Sequence, residues 1–292
     1  MHTAELLRPY LSQARAPVTR EVGVIDEQGR RQTLSIPAER ALTVYVDRRE
    51  LVTLMTLGTQ PELLVLGWLR NQRLVRSLDE IESITVDWEV GAAAVKTRHG
   101  QGIVNVEERT AKRVVTTGCG QGSVFGGLMD EVEGIVLPDP SEAQLSQAQL
   151  YAIVNTIRLQ QSIYKSAGSV HGCALFQTQS GSGAEEGQDM LVFVEDVGRH
   201  NAIDTIAGWM WMNDVEGGDK AFYTTGRLTS EMIIKSAQMG VPIAISRSGI
   251  TQMGHAVAAQ LTLCTIGRAT GKHFYCYTAP ERLRMQPELA ER

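Results

Sequence analysis

Cysteine is scarce in this chain, with four residues at 119, 173, 264 and 276 and no C-x-x-C pair among them. That spacing gives no zinc ribbon and no thioredoxin-type motif, and in a reducing compartment all four are thiols. Basic charge is also thin: 28 Lys and Arg stand against 33 Asp and Glu, a net −5, with no Lys/Arg run of five. Binding of nucleic acid or lipid by bulk charge is therefore not expected. No uninterrupted apolar stretch reaches the roughly 18 residues of a membrane span. The first twenty residues, with Glu5, Arg8, Pro9, Arg15 and Arg20, lack the apolar centre of a signal peptide. The expectation is a soluble, cytoplasmic protein. Several motifs are missing too. G-x-x-x-x-G-K-[ST] is absent, and Phe125 stands where the third glycine of G-x-G-x-x-G would follow Gly120 and Gly122. Kinase, ATPase and Rossmann dehydrogenase readings lose their main support. So does a zinc deaminase, which needs H-x-E with P-C-x-x-C.

What is present is globular: 43% hydrophobic and 21% charged over 292 residues, about two average domains. The first third is rich in β-branched residues. Arg20–Ile25, Arg31–Ile36, Leu42–Val46, Glu50–Leu57 and Ser83–Glu89 read as strands, punctuated by the turns Asp26-Glu27-Gln28-Gly29 and Val46-Asp47-Arg48-Arg49. Pro61 opens a helix, and Val104–Val106 and Arg113–Thr117 add short strands. These make a small α+β domain over 1–115. Five glycines fall within residues 118–127, so 116–140 reads as an irregular mobile loop closed by Pro138 and Pro140. Ser141 with Gln144 has capping-box spacing. Leu150, Ile153, Val154 and Ile157 then follow helical periodicity, with Gly168 as the stop. Cys173–Phe176 and Met190–Val194 flank a long hairpin loop over Thr178–Asp189; from Met190 onward strands alternate with helices, and Gly240 ends the helix near Ser230–Met239. Alternation of this kind gives an α/β domain over 141–292, with a partly parallel sheet covered by helices.

Four places can carry chemistry. Cys119 lies between Gly118 and Gly120. It reads either as an accessible nucleophilic or sulfur-carrying thiol or as a small residue in a tight turn. Thr224-Thr225-Gly226-Arg227 joins a strand to a helix, where free backbone N–H groups and a guanidinium can face a phosphate. Glu195-Asp196-Val197-Gly198-Arg199-His200-Asn201 does the same, and reads as a ligand loop or as a self-satisfied capping cluster. Ile266-Gly267-Arg268-Ala269-Thr270-Gly271-Lys272-His273 is a basic hairpin turn or a loop wrapping a phosphorylated ligand. His171-Gly172-Cys173 offers two metal ligands and no third. Cys264 and Cys276 read as small buried hydrophobes in strands.

Taken together, Thr117-Gly118-Cys119-Gly120, Glu195-Asp196-Val197-Gly198-Arg199-His200, Arg227 with Ser230-Glu231-Met232 and Lys235-Ser236, Gly240-Val241-Pro242 and Tyr277-Thr278-Ala279-Pro280-Glu281-Arg282 resemble the FdhD family of formate dehydrogenase accessory sulfurtransferases. The resemblance implies a C-terminal cytidine deaminase-like three-layer α/β/α sandwich without the zinc. It also implies a homodimer that binds molybdenum bis(molybdopterin guanine dinucleotide) as a substrate, with no intrinsic metal. Sulfur would pass from a cysteine desulfurase, as a persulfide on Cys119, to that cofactor and so to the formate dehydrogenase catalytic subunit. Cofactor contacts would fall on Ile266, Gly267, Arg268, Ala269, Thr270, Gly271, Lys272 and His273, with Arg199, His200 and Arg227. One departure stands out: where many members have a second loop cysteine, this chain has Gly122. That rules out a resolving disulfide within the loop and leaves a non-catalytic cofactor-binding chaperone as the alternative to a sulfurtransferase. A nucleotide-binding regulator is a third reading.

Overall fold

The structure is a computed structural model that describes residues 7–100, 102, 132, 134–178 and 189–290. The expected strands Val104–Val106 and Arg113–Thr117, and the part of the glycine loop over 116–131 with residue 133, lie outside the described residues. The fold is mixed α/β. It divides into two compact units that do not follow chain order. Residues 162–171 and 195–214 join 1–121 in the first unit, and 122–161, 172–194 and 215–292 form the second.

The first unit is built on β1 (Tyr10–Leu11), β2 (Thr19–Ile25), β3 (Arg31–Pro37), β4 (Arg40–Val46), β5 (Arg49–Thr56), α1 (Pro61–Asn71), β6 (Ile81–Asp87) and β7 (Ala92–Thr97). Five strands form one sheet in the order β1-β6-β7-β4-β5, while β2 and β3 make a separate hairpin. The β2–β3 turn forms because the Asp26 carboxylate accepts the Gln28 and Arg30 N–H groups and Gly29 takes a left-handed φ of 78°. The β4–β5 turn puts both Asp47 and Arg48 at positive φ, the geometry that matches strand twist in a tight hairpin. Alternation along β4 sends Leu42, Val44 and Val46 inward, where they meet Leu64, Val65 and Leu69 of α1.

Helix α1 also packs on α4 (Arg199–Met212) at a crossing that only glycine allows. A Cβ on Gly67 would stand 1.7 Å from the Asp204 carbonyl oxygen, and one on Gly208 would stand 2.0 Å from the Leu63 carbonyl oxygen. Close backbone approach lets Arg70 donate to the Ala207 carbonyl and Asn71 donate to the Asp204 carboxylate at 2.7 Å.

The second unit carries β8 (Leu145–Ser146), α2 (Gln147–Leu159), β11 (Lys220–Thr224), α5 (Ser230–Gln238), β12 (Ile243–Ser246), α6 (Gln252–Gln260), β13 (Cys264–Thr270), β14 (His273–Thr278) and β15 (Leu283–Arg284), with most of β9 (His171–Gln177) and β10 (Met190–Asp196). The sheet order is β10-β9-β11-β12-β13-β14. Strands β11, β12 and β13 run parallel, β9 is antiparallel to β11, and β14 is antiparallel to β13. Leu150, Ile153 and Val154 of α2 pack in one buried cluster with Ile243, Ile245, Cys264 and Ile266.

Two helix boundaries differ from the sequence reading. The capping box is Ser146 with Gln149, each closing on the other's backbone. Ser141 instead turns its N–H and hydroxyl onto the Asp139 carboxylate. Helix α2 ends at Leu159, and Gly168, at φ 67°, stops the short α3 (Ile163–Ala167). Gly240 does take the left-handed conformation expected of it, at φ 75°. No helix of the described residues is long and apolar enough to cross a membrane.

Candidate functional site

The carboxyl ends of β11 and β12 carry the same strand–turn–helix device twice. After β11, Thr224-Thr225-Gly226-Arg227-Leu228-Thr229 leads into α5; after β12, Ser246-Arg247-Ser248-Gly249-Ile250-Thr251 leads into α6. In each turn a strand-end hydroxyl accepts the N–H two residues on: Thr224 from Gly226 at 3.1 Å and Ser246 from Ser248 at 2.9 Å. The two turns are tied to one another. Leu228 N–H donates to the Gly249 carbonyl and Thr251 N–H to the Leu228 carbonyl, while the Ser246 hydroxyl reaches the Gly226 carbonyl. A third segment joins them when Arg268, at φ 51°, donates its N–H to the Ser248 carbonyl.

Three exposed arginines, Arg227, Arg247 and Arg268, therefore stand on backbone segments fixed to one another along the parallel-strand ends. The N-termini of α5 and α6 open on the same edge, and each adds the positive end of a helix dipole. Thr251 caps α6 by accepting the Gly254 N–H, whereas Thr229 Oγ1, in the equivalent place on α5, is buried without a partner. Arginine forks and helix N-termini on the carboxyl side of parallel strands suit phosphate and pyrophosphate groups. The Tyr223 hydroxyl just beneath is pushed up to about 12 by burial, so it stays neutral. The arrangement is one suited to an anionic group.

Arg247 is the member of this edge that sequence reasoning misses. Its signal is the repeat of strand, small hydroxyl residue, Leu or Ile, and Thr before a helix, visible only when the two segments are laid side by side.

The other sequence candidates fall out differently. Residues 266–273 do not form a wrapping loop. They are strand residues of β13 and β14, joined by the two-residue turn Gly271-Lys272 with Thr270 paired to His273. Ile266 and Ala269 point into the core and Gly267 packs under Tyr277. Arg268, Thr270, Gly271, Lys272 and His273 are the exposed members, so the basic hairpin is the form this segment takes.

Arg199 and His200 belong to the first unit, where they open α4, and Arg199 is buried. The two carboxylates before them are satisfied structurally. Glu195 accepts the N–H groups of Ile163 and Tyr164 at the start of α3. Asp196 accepts the Thr56 hydroxyl and Leu57 N–H on one oxygen, and the Gly198 N–H and Asn201 amide on the other. Burial pushes the Asp196 carboxyl above the ordinary aspartate range against those four bonds.

Cys173 is fully buried with its sulfur 3.3 Å from the Thr224 hydroxyl. No group of three or more His, Cys, Asp or Glu able to hold a metal occurs among the described residues. Cys119 lies outside the described residues. A surface hollow of about 460 Å³ near Pro138, Leu261 and Thr262 contains Arg282, but that guanidinium is already spent on the carbonyls of Pro138, Ala143 and Thr262.

The sequence profile of the FdhD/NarQ family matches residues 37–284, which takes in most of both units. The chain belongs to the FdhD/NarQ family. Within that family it is 30% identical over 246 residues to the sulfur carrier protein FdhD of Bacillus subtilis (strain 168), covering 84% of this chain and 89% of that one. It is 29% identical over 252 residues to the sulfur carrier protein FdhD of Bacillus pumilus (strain SAFR-032), covering 86% and 91%. The FdhD fold is also met in a crystal structure of a candidate formate dehydrogenase accessory protein from Desulfotalea psychrophila. That structure matches 91% of this chain and 98% of its own with a TM-score of 0.68, at 23% identity. The arginine-lined edge and the glycine-flanked Cys119 are thus features of an FdhD/NarQ protein.

Proposed function

We propose that this protein is a sulfurtransferase of the cytoplasm, acting as a homodimer. On this reading it carries sulfur on Cys119 from a cysteine desulfurase to molybdenum bis(molybdopterin guanine dinucleotide), in the service of a formate dehydrogenase. The observation that carries the reading is the sulfur-carrier naming of relatives aligned over most of the chain, together with where the thiols lie. Cys173 and Cys264 are completely buried, and Cys276 is a half-buried strand residue. Cys119, in its run of glycines, is left as the thiol that sequence context makes approachable.

In the loading step the Cys119 thiolate attacks the outer sulfur of the desulfurase persulfide, and the desulfurase thiolate leaves. The persulfide is a reversible cap, so delivery of its terminal sulfur restores the Cys119 thiol. Binding of the guanine nucleotide ends of the substrate is assigned to the phosphate-suited edge at Arg227, Arg247 and Arg268. Removing one charge-assisted contact from a phosphate costs about 1.5–3 kcal/mol, or roughly tenfold or more in affinity. Arg227→Ala and Arg247→Ala should therefore each weaken binding of guanosine diphosphate at least about tenfold by calorimetry. Unchanged affinity in both variants would place the nucleotide elsewhere.

Gly122, in place of a second loop cysteine, favours one alternative, a cofactor-binding chaperone that transfers no sulfur. Complementation separates the two. In a strain lacking its own accessory protein, Cys119→Ala restores no formate dehydrogenase activity if the protein transfers sulfur, and restores it fully if the protein is only a chaperone.

A further inference from the structure

Cys264 and Cys276 lie twelve positions apart in a hairpin, yet their sulfurs are 3.9 Å apart. The cause is a register irregularity. Thr265 pairs with Thr278, but the next residue, Ile266, pairs with Cys276 instead of Tyr277. In an antiparallel ladder one extra residue turns everything beyond it to the other face. The bulge at Tyr277 thereby brings Cys276 onto the face that already holds Cys264 and Ile266, and both cysteines pack in the same cluster. The two thiols differ in access. Cys264 is fully buried, whereas Cys276 is half-buried on β14, the last strand of the sheet.

We propose that Cys276 and Cys264 form a redox-active dithiol site for low-molecular-weight disulfides, with Cys276 taking the mixed disulfide and Cys264 resolving it. The Cys276 thiolate attacks one sulfur of the disulfide R–S–S–R, an S–S bond breaks, and the first R–S⁻ leaves with the electron pair and takes up a proton. The Cys264 thiol then gives up its proton and attacks the Cys276 sulfur, and the second R–S⁻ leaves. The protein is oxidised by two electrons to a 264–276 disulfide, and R–S–S–R is reduced to two R–SH. Closure needs the sulfurs to approach by roughly 2 Å, from 3.9 Å to a bond length near 2.05 Å, and because Cys276 faces Ile266 and so lies diagonal to Cys264, it also draws the two strands together. The shared hydrogen bond favours this order of events. It holds the Cys276 thiol below the ordinary cysteine range and pushes the Cys264 thiol well above it, so the half-buried sulfur is the one ionised first.

The test treats the full-length protein with oxidised glutathione, alkylates the remaining thiols and maps peptides without reduction. The wild type should yield a 264–276 cross-linked peptide. Cys264→Ser should stop at a stable glutathione adduct on Cys276, and Cys276→Ser should leave Cys264 free of glutathione. A stable adduct on Cys276 of the wild type with no cross-link would overturn the proposal, as would glutathione on Cys264 of Cys276→Ser at the wild-type rate. A measurement on the wild type alone covers the case of misfolded variants. Phenylarsine oxide, which bridges neighbouring thiols, should protect both cysteines from alkylation together, and protection of neither would refute the pair.

Discussion

Gly67→Ala is expected to destabilise the first unit by at least about 3 kcal/mol, although alanine is the better helix former by about 1 kcal/mol. Propensity and packing point in opposite directions at this position, and magnitude decides between them. The added Cβ would sit 1.7 Å from the Asp204 carbonyl oxygen, with the Gly208 backbone nitrogen at 2.6 Å. Both neighbours are backbone, so no rotamer change relieves the clash and α1 must move away from α4. That movement also stretches the bonds from Arg70 to Ala207 and from Asn71 to Asp204. Chemical denaturation should show a lowered midpoint or an early transition for this unit. A variant as stable as the wild type would mean that the helices do not cross at these glycines.

Asp196→Ala should cost about 3–5 kcal/mol, because a buried carboxylate that accepts four hydrogen bonds is deleted and its donors are left inside. The residue belongs to the Glu-Asp-Val-Gly-Arg-His string, so a loss of activity in this variant invites a catalytic explanation. A carboxylate whose oxygens are all taken by the fold leads to a different expectation: the loss of stability is large, and whatever folded protein survives still takes up sulfur. Asp196→Asn, which keeps one acceptor oxygen, should fall between the wild type and Asp196→Ala in a thermal melt. Full stability in Asp196→Ala would show that the four contacts hold nothing.

Much of the fold is legible in the sequence because local signals and packing agree. Pro61 at a helix start, Gly240 at a helix end, the Asp26–Gly29 turn and the β-branched runs of the first third all act within a few residues of where they are read. Errors arise where two segments offer the same local chemistry. Ser141 and Gln144 have the spacing of a capping box, but so do Ser146 and Gln149, and the apolar stripe beginning at Leu150 chooses the second pair. Residues 266–273, where Gly267 and Gly271 flank basic side chains, read equally as a basic hairpin turn or a wrapping loop, and the structure takes the hairpin. In the fold Gly267 is needed because Tyr277 and Gly249 press against it, and only Gly271 turns the chain.

The candidate site is half legible. Arg227 and Arg268 are visible by their glycine-rich context, whereas Arg247 depends on recognising a duplicated strand end. The Cys264–Cys276 contact depends on a bulge that no sequence pattern announces.

Sulfur carriage is tested most directly by the intact mass of the protein after incubation with a cysteine desulfurase and L-cysteine. One added sulfur atom is expected, removed by reductant, mapped to Cys119 in the wild type and missing from Cys119→Ala. The same adduct on Cys119→Ala, or its location on Cys276, would contradict a carrier role for Cys119.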